Sequence, residues 1–269
     1  MKTATSIVGL LCWLVAAGVA GAQQPPPAAG GTPSSIQRLC TEGTEVGFGP
    51  AQLPNAARAL RERKQLRVLA IGATPLSARD QTQGHYALVE KVLESSFKGL
   101  DVEIIDRGVS GELARDGAER IKNEVALVRP DVVFWQVGVA DALALTPANE
   151  LKQTLVETVR WLKVHQVDVV VIGLRYRRSL ARNEGFQNIR KVIRDVVKDE
   201  AILRIGHYES IEALDRVRRQ EGEPPSEFDL TDAGSNCVAD FLSRALAVGL
   251  FKKPRGEHGN AGVPAPSQK

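Results

Sequence analysis

Thr74, His85, His207 and a run of arginines are the residues of this 269-residue chain whose types and settings could do chemistry. Thr74 closes the stretch LRVLAIGATP, in which an apolar run meets Gly72 and turns through Ala73-Thr74-Pro75. A hydroxyl on such a strand-to-helix turn stands where a nucleophile would stand, provided that a base takes its proton. His207 follows the apolar run AILRIG, and an imidazole titrates near neutrality, as a base should. His85 lies in the helical segment after the Thr74 turn. The plainer reading is that His207-Tyr208 begins a helix and that His85 is a surface residue; His165, at a helix end, and His258, near the C-terminus, suggest no site. The stretch GLRYRRSLARNEG carries Arg175, Arg177, Arg178 and Arg182 just after another apolar run. Guanidinium groups grip carboxylates and phosphates through paired hydrogen bonds, so these arginines suit an anionic ligand such as an acidic polysaccharide. They suit equally a solvated loop with ordinary salt bridges.

Other chemistries find no footing. There is no Gly-rich phosphate loop, no HExxH and no Cys/His spacing for zinc, so neither a metal nor a cofactor is implied. A formal charge of +3 and an aromatic content of 5% argue against a nucleic-acid partner.

The elements that must position these residues follow from pattern. LRVLAIG, DVEIID, DVVFWQVG, DVVVIGL and AILRIG read as short buried strands. Between them lie helices. After Thr146 as N-cap and Pro147 at the first helical position, Leu151, Leu155, Val159 and Leu162 repeat at helical spacing, as do Phe186, Ile189, Ile193 and Val196. Near-continuous apolar strands alternating with helices predict an α/β fold of three layers, a five-stranded parallel sheet with helices on both faces. In such a sheet ligands gather beyond the carboxyl ends of the strands, where Thr74, Gly108, Ala140, the arginines and His207 all fall. Trp135 and Gln136, within the third strand, read as core.

Residues 1–22 read as a signal peptide: Lys2, an apolar run too short for a confident membrane span, then small residues before Gln23. Residues 23–35 are a Pro/Gly/Ser-rich linker, 36–251 the folded domain, and 252–269 a tail without apolar period. Export to the periplasm or beyond leaves no membrane span after cleavage and an oxidising compartment, in which Cys40 and Cys237, the two cysteines of the mature chain, are expected to pair. The alternative is two buried thiols.

The strand ends, together with EFDLTDAGSNCVADFLSRAL, resemble the SGNH/GDSL hydrolases of bacterial envelopes, over about residues 66–250. IIDRGVSGELARDGAERI is similar to that family's second block, with the oxyanion-hole glycine at Gly108; PDVVFWQVGVADAL is similar to the third, Gly-x-Asn-Asp; FDLTDAG and the helix after it are similar to the last. The resemblance implies the flavodoxin-like SGNH fold and an esterase-type activity. It also places the family serine on Thr74, the asparagine on Ala140, the histidine on Asp229 and its aspartate partner on Ser226, so that only the glycine is kept.

Each replacement has a chemical consequence. Threonine crowds the attack, and Pro75 stiffens its turn. A carboxylate at Asp229 is a weak base at pH 7 and a fixed negative charge. Ser226 cannot hold an imidazole in one tautomer, and Ala140 removes an oxyanion donor, a loss of about 3 kcal/mol in comparable enzymes. Two functions stay open: a non-catalytic envelope protein binding an acylated saccharide or other small ligand, and a divergent esterase or deacetylase using Thr74 with a relocated base such as His207. A purely structural envelope partner is not separable from the first.

Overall fold

The structure is a computed structural model that describes residues 52–72, 85–220, 222 and 232–251. The leader, linker and tail, with Cys40, Thr74, Ser226, Asp229 and His258, lie outside the described residues; Cys237 and His85 are described through their backbone alone.

In chain order the elements are α1 (Pro54–Arg63), β1 (Gln65–Gly72), α2 (His85–Ser96), β2 (Asp101–Asp106), α3 (Ala114–Val128), β3 (Val132–Gln136), α4 (Val139–Leu143), α5 (Ala148–Val164), β4 (Asp168–Ile172), α6 (Glu184–Asp199), β5 (Leu203–Ile205), α7 (His207–Gln220) and α8 (Asp232–Phe251). The five strands form one parallel sheet in the order β2-β1-β3-β4-β5. This is the three-layer α/β architecture that the alternation of patterns predicts.

The period-2 rule for strands explains why the runs are apolar throughout. Val68, Ala70, Phe134, Val170 and Ile172 point to one face, where they meet Leu53 and Ala56 of the α1 end, Val89 and Leu93 of α2, and Phe241, Leu242 and Leu246 of α8. Their neighbours Leu69, Ile71, Val133, Trp135 and Val171 point to the other, against Ile121 of α3, Leu155 and Val159 of α5, and Phe186 and Ile193 of α6. The helical stripes read from the sequence are all buried, and so are Trp135 and Gln136.

Boundaries differ in small ways that have local causes. Helix α5 starts one residue later than expected, because Pro147 keeps an extended ψ of 134° and so stands as its N-cap instead of its first helical residue. Strand β3 stops at Gln136 because Gly138, at φ +107°, turns the chain into α4. At the amino end of the sheet the buried Asp168 caps α1 from a distance, accepting from Ala56 N at 2.9 Å and Asn55 Nδ2 at 2.8 Å. No helix among the described residues is long and apolar enough to cross a membrane.

Candidate functional site

Register brings the carboxyl ends of the strands to one rim. Gly72 pairs with Gln136, Gln136 with Ile172, and Ile172 with Ile205. Beyond β2 the chain stays zipped to β1, with Arg107 N donating to Ala70 O at 2.9 Å and Val109 N to Gly72 O at 3.0 Å. Gly72, the last described residue before Thr74, and the loop holding Gly108 therefore lie side by side. Two glycines set how close this rim is drawn. At Gly72, φ +109°, a Cβ would stand 1.9 Å from the Gln136 carbonyl oxygen; at Gly138 it would stand 2.6 Å from Ile193 Cδ1 and 2.8 Å from Leu174 Cδ1.

Gly108 is exposed, but its N–H is already used: it donates to Asp106 Oδ1 at 2.8 Å. An aspartate bonding the amide two residues on is an Asx turn, a common way for a chain to leave a strand. An oxyanion placed at Gly108 would have to displace a carboxylate and sit beside its charge. The rest of the loop is held from α3. Arg120 donates to the Arg107 carbonyl and, at 2.8 Å, to Glu112. The Glu112 side chain is only 4% exposed, and burial pushes its pKa up against the opposing pull of Arg120.

Ala140 lies half-buried in α4. The residue after it, Asp141, is buried, and both of its oxygens face Ala114 N at 3.1 and 3.2 Å. Leu113 precedes α3 without a side-chain cap, so Asp141 caps that helix from α4. Burial raises the Asp141 pKa, against the backbone hydrogen bonds that favour its ionised form. Asp106 and Asp141 thus shape the site; Asp141 falls in the strand-end stretch Gly138-Val139-Ala140-Asp141 that resembles the family's third block, whereas Asp106 was not expected from sequence to act there. The Asp-x-Gly at the end of β2 was a legible sign of Asp106, and the Gly-x-x-Asp after β3 of Asp141, but nothing local showed that Asp141 would cap α3.

The arginine loop is largely committed. Arg178 is ion-paired to Asp215 of α7, which also accepts from Tyr176 Oη at 3.1 Å and pairs with Arg219 at 3.3 Å. Burial works to raise the Asp215 pKa, and these partners, Arg178 foremost, outweigh it and hold the carboxyl below the usual range. Arg175 is buried, Arg177 half-buried, and both have partners within the chain; Arg182 is exposed.

His207 is the first residue of α7 and 3% exposed. The start of that helix is pinned by Glu209, which pairs with Arg190 at 3.0 Å and Arg204 at 3.1 Å, while the Arg190 guanidinium lies 3.8 Å over the Tyr208 ring. His207 follows β5, three strands from β1, a lateral separation of about 14 Å at ordinary strand spacing. The register thus gathers Gly108 and Gly72, with Ala140 one strand away, and leaves His207 at the far edge. Among the described residues no group of acids, histidines and cysteines could hold a metal ion.

A family model, described as the non-GDSL lipase-like family, matches residues 39–251. The chain belongs to that family. The absence of a GDSL block in this non-GDSL lipase-like protein is plain in the sequence, which reads GATPLS after the first apolar run. Its fold is shared with solved hydrolases. The acetyl xylan esterase AlAXEase is 20% identical, with a TM-score of 0.59, over 67% of this chain and 100% of that one. An alpha/beta hydrolase from the metagenome of Lake Arreo, Spain, is 21% identical, with a TM-score of 0.56, over 69% and 96%. An acetyl xylan esterase from Geobacillus stearothermophilus is 18% identical, with a TM-score of 0.53, over 67% and 94%. No curated protein matches the chain. At these identities the likeness speaks for the SGNH/GDSL hydrolase fold and for no particular substrate.

Proposed function

We propose that this member of the non-GDSL lipase-like family is exported and that its carboxyl-end crevice binds an acylated saccharide, or another small envelope ligand, without turning it over efficiently. The observation that carries the reading is the state of the oxyanion positions. Gly108 spends its N–H on the Asp106 carboxylate, and Ala140 offers no side-chain donor. Preorganised donors at the developing oxyanion are commonly the largest single contribution to acyl transfer, so losing both lowers turnover by orders of magnitude. The replacements at Thr74, Ser226 and Asp229 point the same way, since nucleophile, base and orienting carboxylate act as one unit. The acetyl xylan esterases of the same fold suggest acylated saccharide as the ligand class. The reading that makes His207 a relocated base for Thr74 gains no support from a buried residue at the far edge of the sheet.

The test is hydrolysis and binding measured on one preparation of the mature chain. Acetylated xylooligosaccharide should bind saturably while acetate release stays near the uncatalysed rate, and Thr74→Ala should change neither. Robust acetate release that Thr74→Ala abolishes would replace the binding reading with the esterase one.

A further inference from the structure

The described residues hold a concavity at the opposite end of the sheet from the candidate site. It is a groove of about 370 Å³ between the end of α1, the α2–β2 turn and the end of α8, with Ala57, Leu60, Phe97, Leu100 and Leu250 lining it. That volume lies within the roughly 300–1,000 Å³ typical of small-molecule sites. Gly99 and three cations, Arg61, Lys64 and Lys98, complete the lining. All three are exposed, and none has an acidic partner among the described residues. The acid at the start of β2, Asp101, is bonded instead to Gln65 Nε2 at 2.9 Å.

We infer that this groove binds a free single-chain carboxylate amphiphile, a fatty acid of medium to long chain, with its alkyl chain on the apolar lining and its carboxylate among the three cations. Apolar walls reward each buried methylene, and a lone cluster of positive charge selects an anionic head over a neutral or cationic one. The groove suits one chain rather than a bilayer surface, because the most exposed large apolar side chains, Leu127, Leu145 and Val164, do not line it. The inference is independent of the reading of the carboxyl-end crevice, since the two sites share no residue.

Isothermal titration of the mature full-length chain with dodecanoate, below its micellar concentration, tests it. Saturable one-to-one binding is expected, weakening roughly fourfold for each methylene removed. The combined variant Arg61→Gln, Lys64→Gln, Lys98→Gln should weaken dodecanoate at least tenfold and leave the weaker binding of dodecanol unchanged. Ala57→Phe, which fills the groove from α1, should abolish both, whereas Ala140→Trp, in the other site, should abolish neither. Melting curves establish that each variant is folded. The inference is overturned if dodecanoate does not bind, if dodecanol binds as tightly, or if the triple-glutamine variant or Ala57→Phe keeps wild-type affinity. It is equally overturned if the chain ignores dodecanoate and binds only vesicles of anionic phospholipid.

Discussion

Asp106 offers the sharpest test of why the site should be slow. Consider the variant that restores the family residues, Thr74→Ser, Ala140→Asn, Ser226→Asp and Asp229→His, and add Asp106→Ala to it. In the restored variant the Gly108 N–H still donates to Asp106 Oδ1 at 2.8 Å. An oxyanion must then break a charge-assisted hydrogen bond worth about 1.5–3 kcal/mol and develop beside a negative charge. One oxyanion donor contributes about 10²–10³ in kcat, so a donor held by a competing carboxylate forfeits much of that factor. Removing Asp106, which is half-exposed, should raise kcat for p-nitrophenyl acetate by about tenfold to a hundredfold over the restored variant, with KM changed far less. In the wild-type background the same change should do almost nothing, because no activated nucleophile is there to benefit. Steady-state rates of p-nitrophenolate release, corrected for the spontaneous rate, measure both comparisons. If Asp106→Ala leaves the restored variant unchanged, Gly108 is not an oxyanion donor and the assignment of the second block fails. If it accelerates the wild-type chain just as much, the active machinery lies elsewhere.

Three further outcomes are expected. Gly72→Ala should cost about 2–6 kcal/mol, from the positive φ and from a Cβ driven against the Gln136 carbonyl, and lower the melting temperature by more than about 4 °C; a wild-type melt would show that the rim is looser than its geometry. Burial works to raise the Glu209 pKa, but the Arg204 and Arg190 partners hold it below the usual range, so its stabilisation is present above the unfolded-state pKa and fades as pH falls through the folded one; Glu209→Gln should therefore cost about 1.5–3 kcal/mol in urea denaturation at pH 7 and progressively less below about pH 4, and a pH-independent cost would refute the linkage. Thiol labelling of chain produced in an oxidising compartment, under denaturing, non-reducing conditions, should find Cys40 and Cys237 protected, and two labelled thiols would rule out the disulfide.

The sequence by itself determined the sheet and most of its helices, because a strand buried on both faces must be apolar throughout and a helix packed on one face must repeat its apolar residues every three or four positions. DVVVI of β4 and the stripe from Leu151 to Leu162 could not satisfy those demands in another conformation as well, whereas DVEIID, at the sheet edge, buries only Val102 fully. It also placed the candidate residues at strand ends, since a parallel sheet leaves its carboxyl ends open to ligand. Only the tertiary structure decided what those residues touch. Asp141 reaches α3 across 27 residues and Arg178 finds Asp215 across 37, and no periodicity encodes such pairings. They arise because burying a helix start or a charged side chain is costly without a partner, and the partner is whichever polar group the packed layers bring within reach. The same packing drew Arg61, Lys64 and Lys98 around one apolar groove from two separate segments, and no motif or spacing in the sequence singles those three cations out.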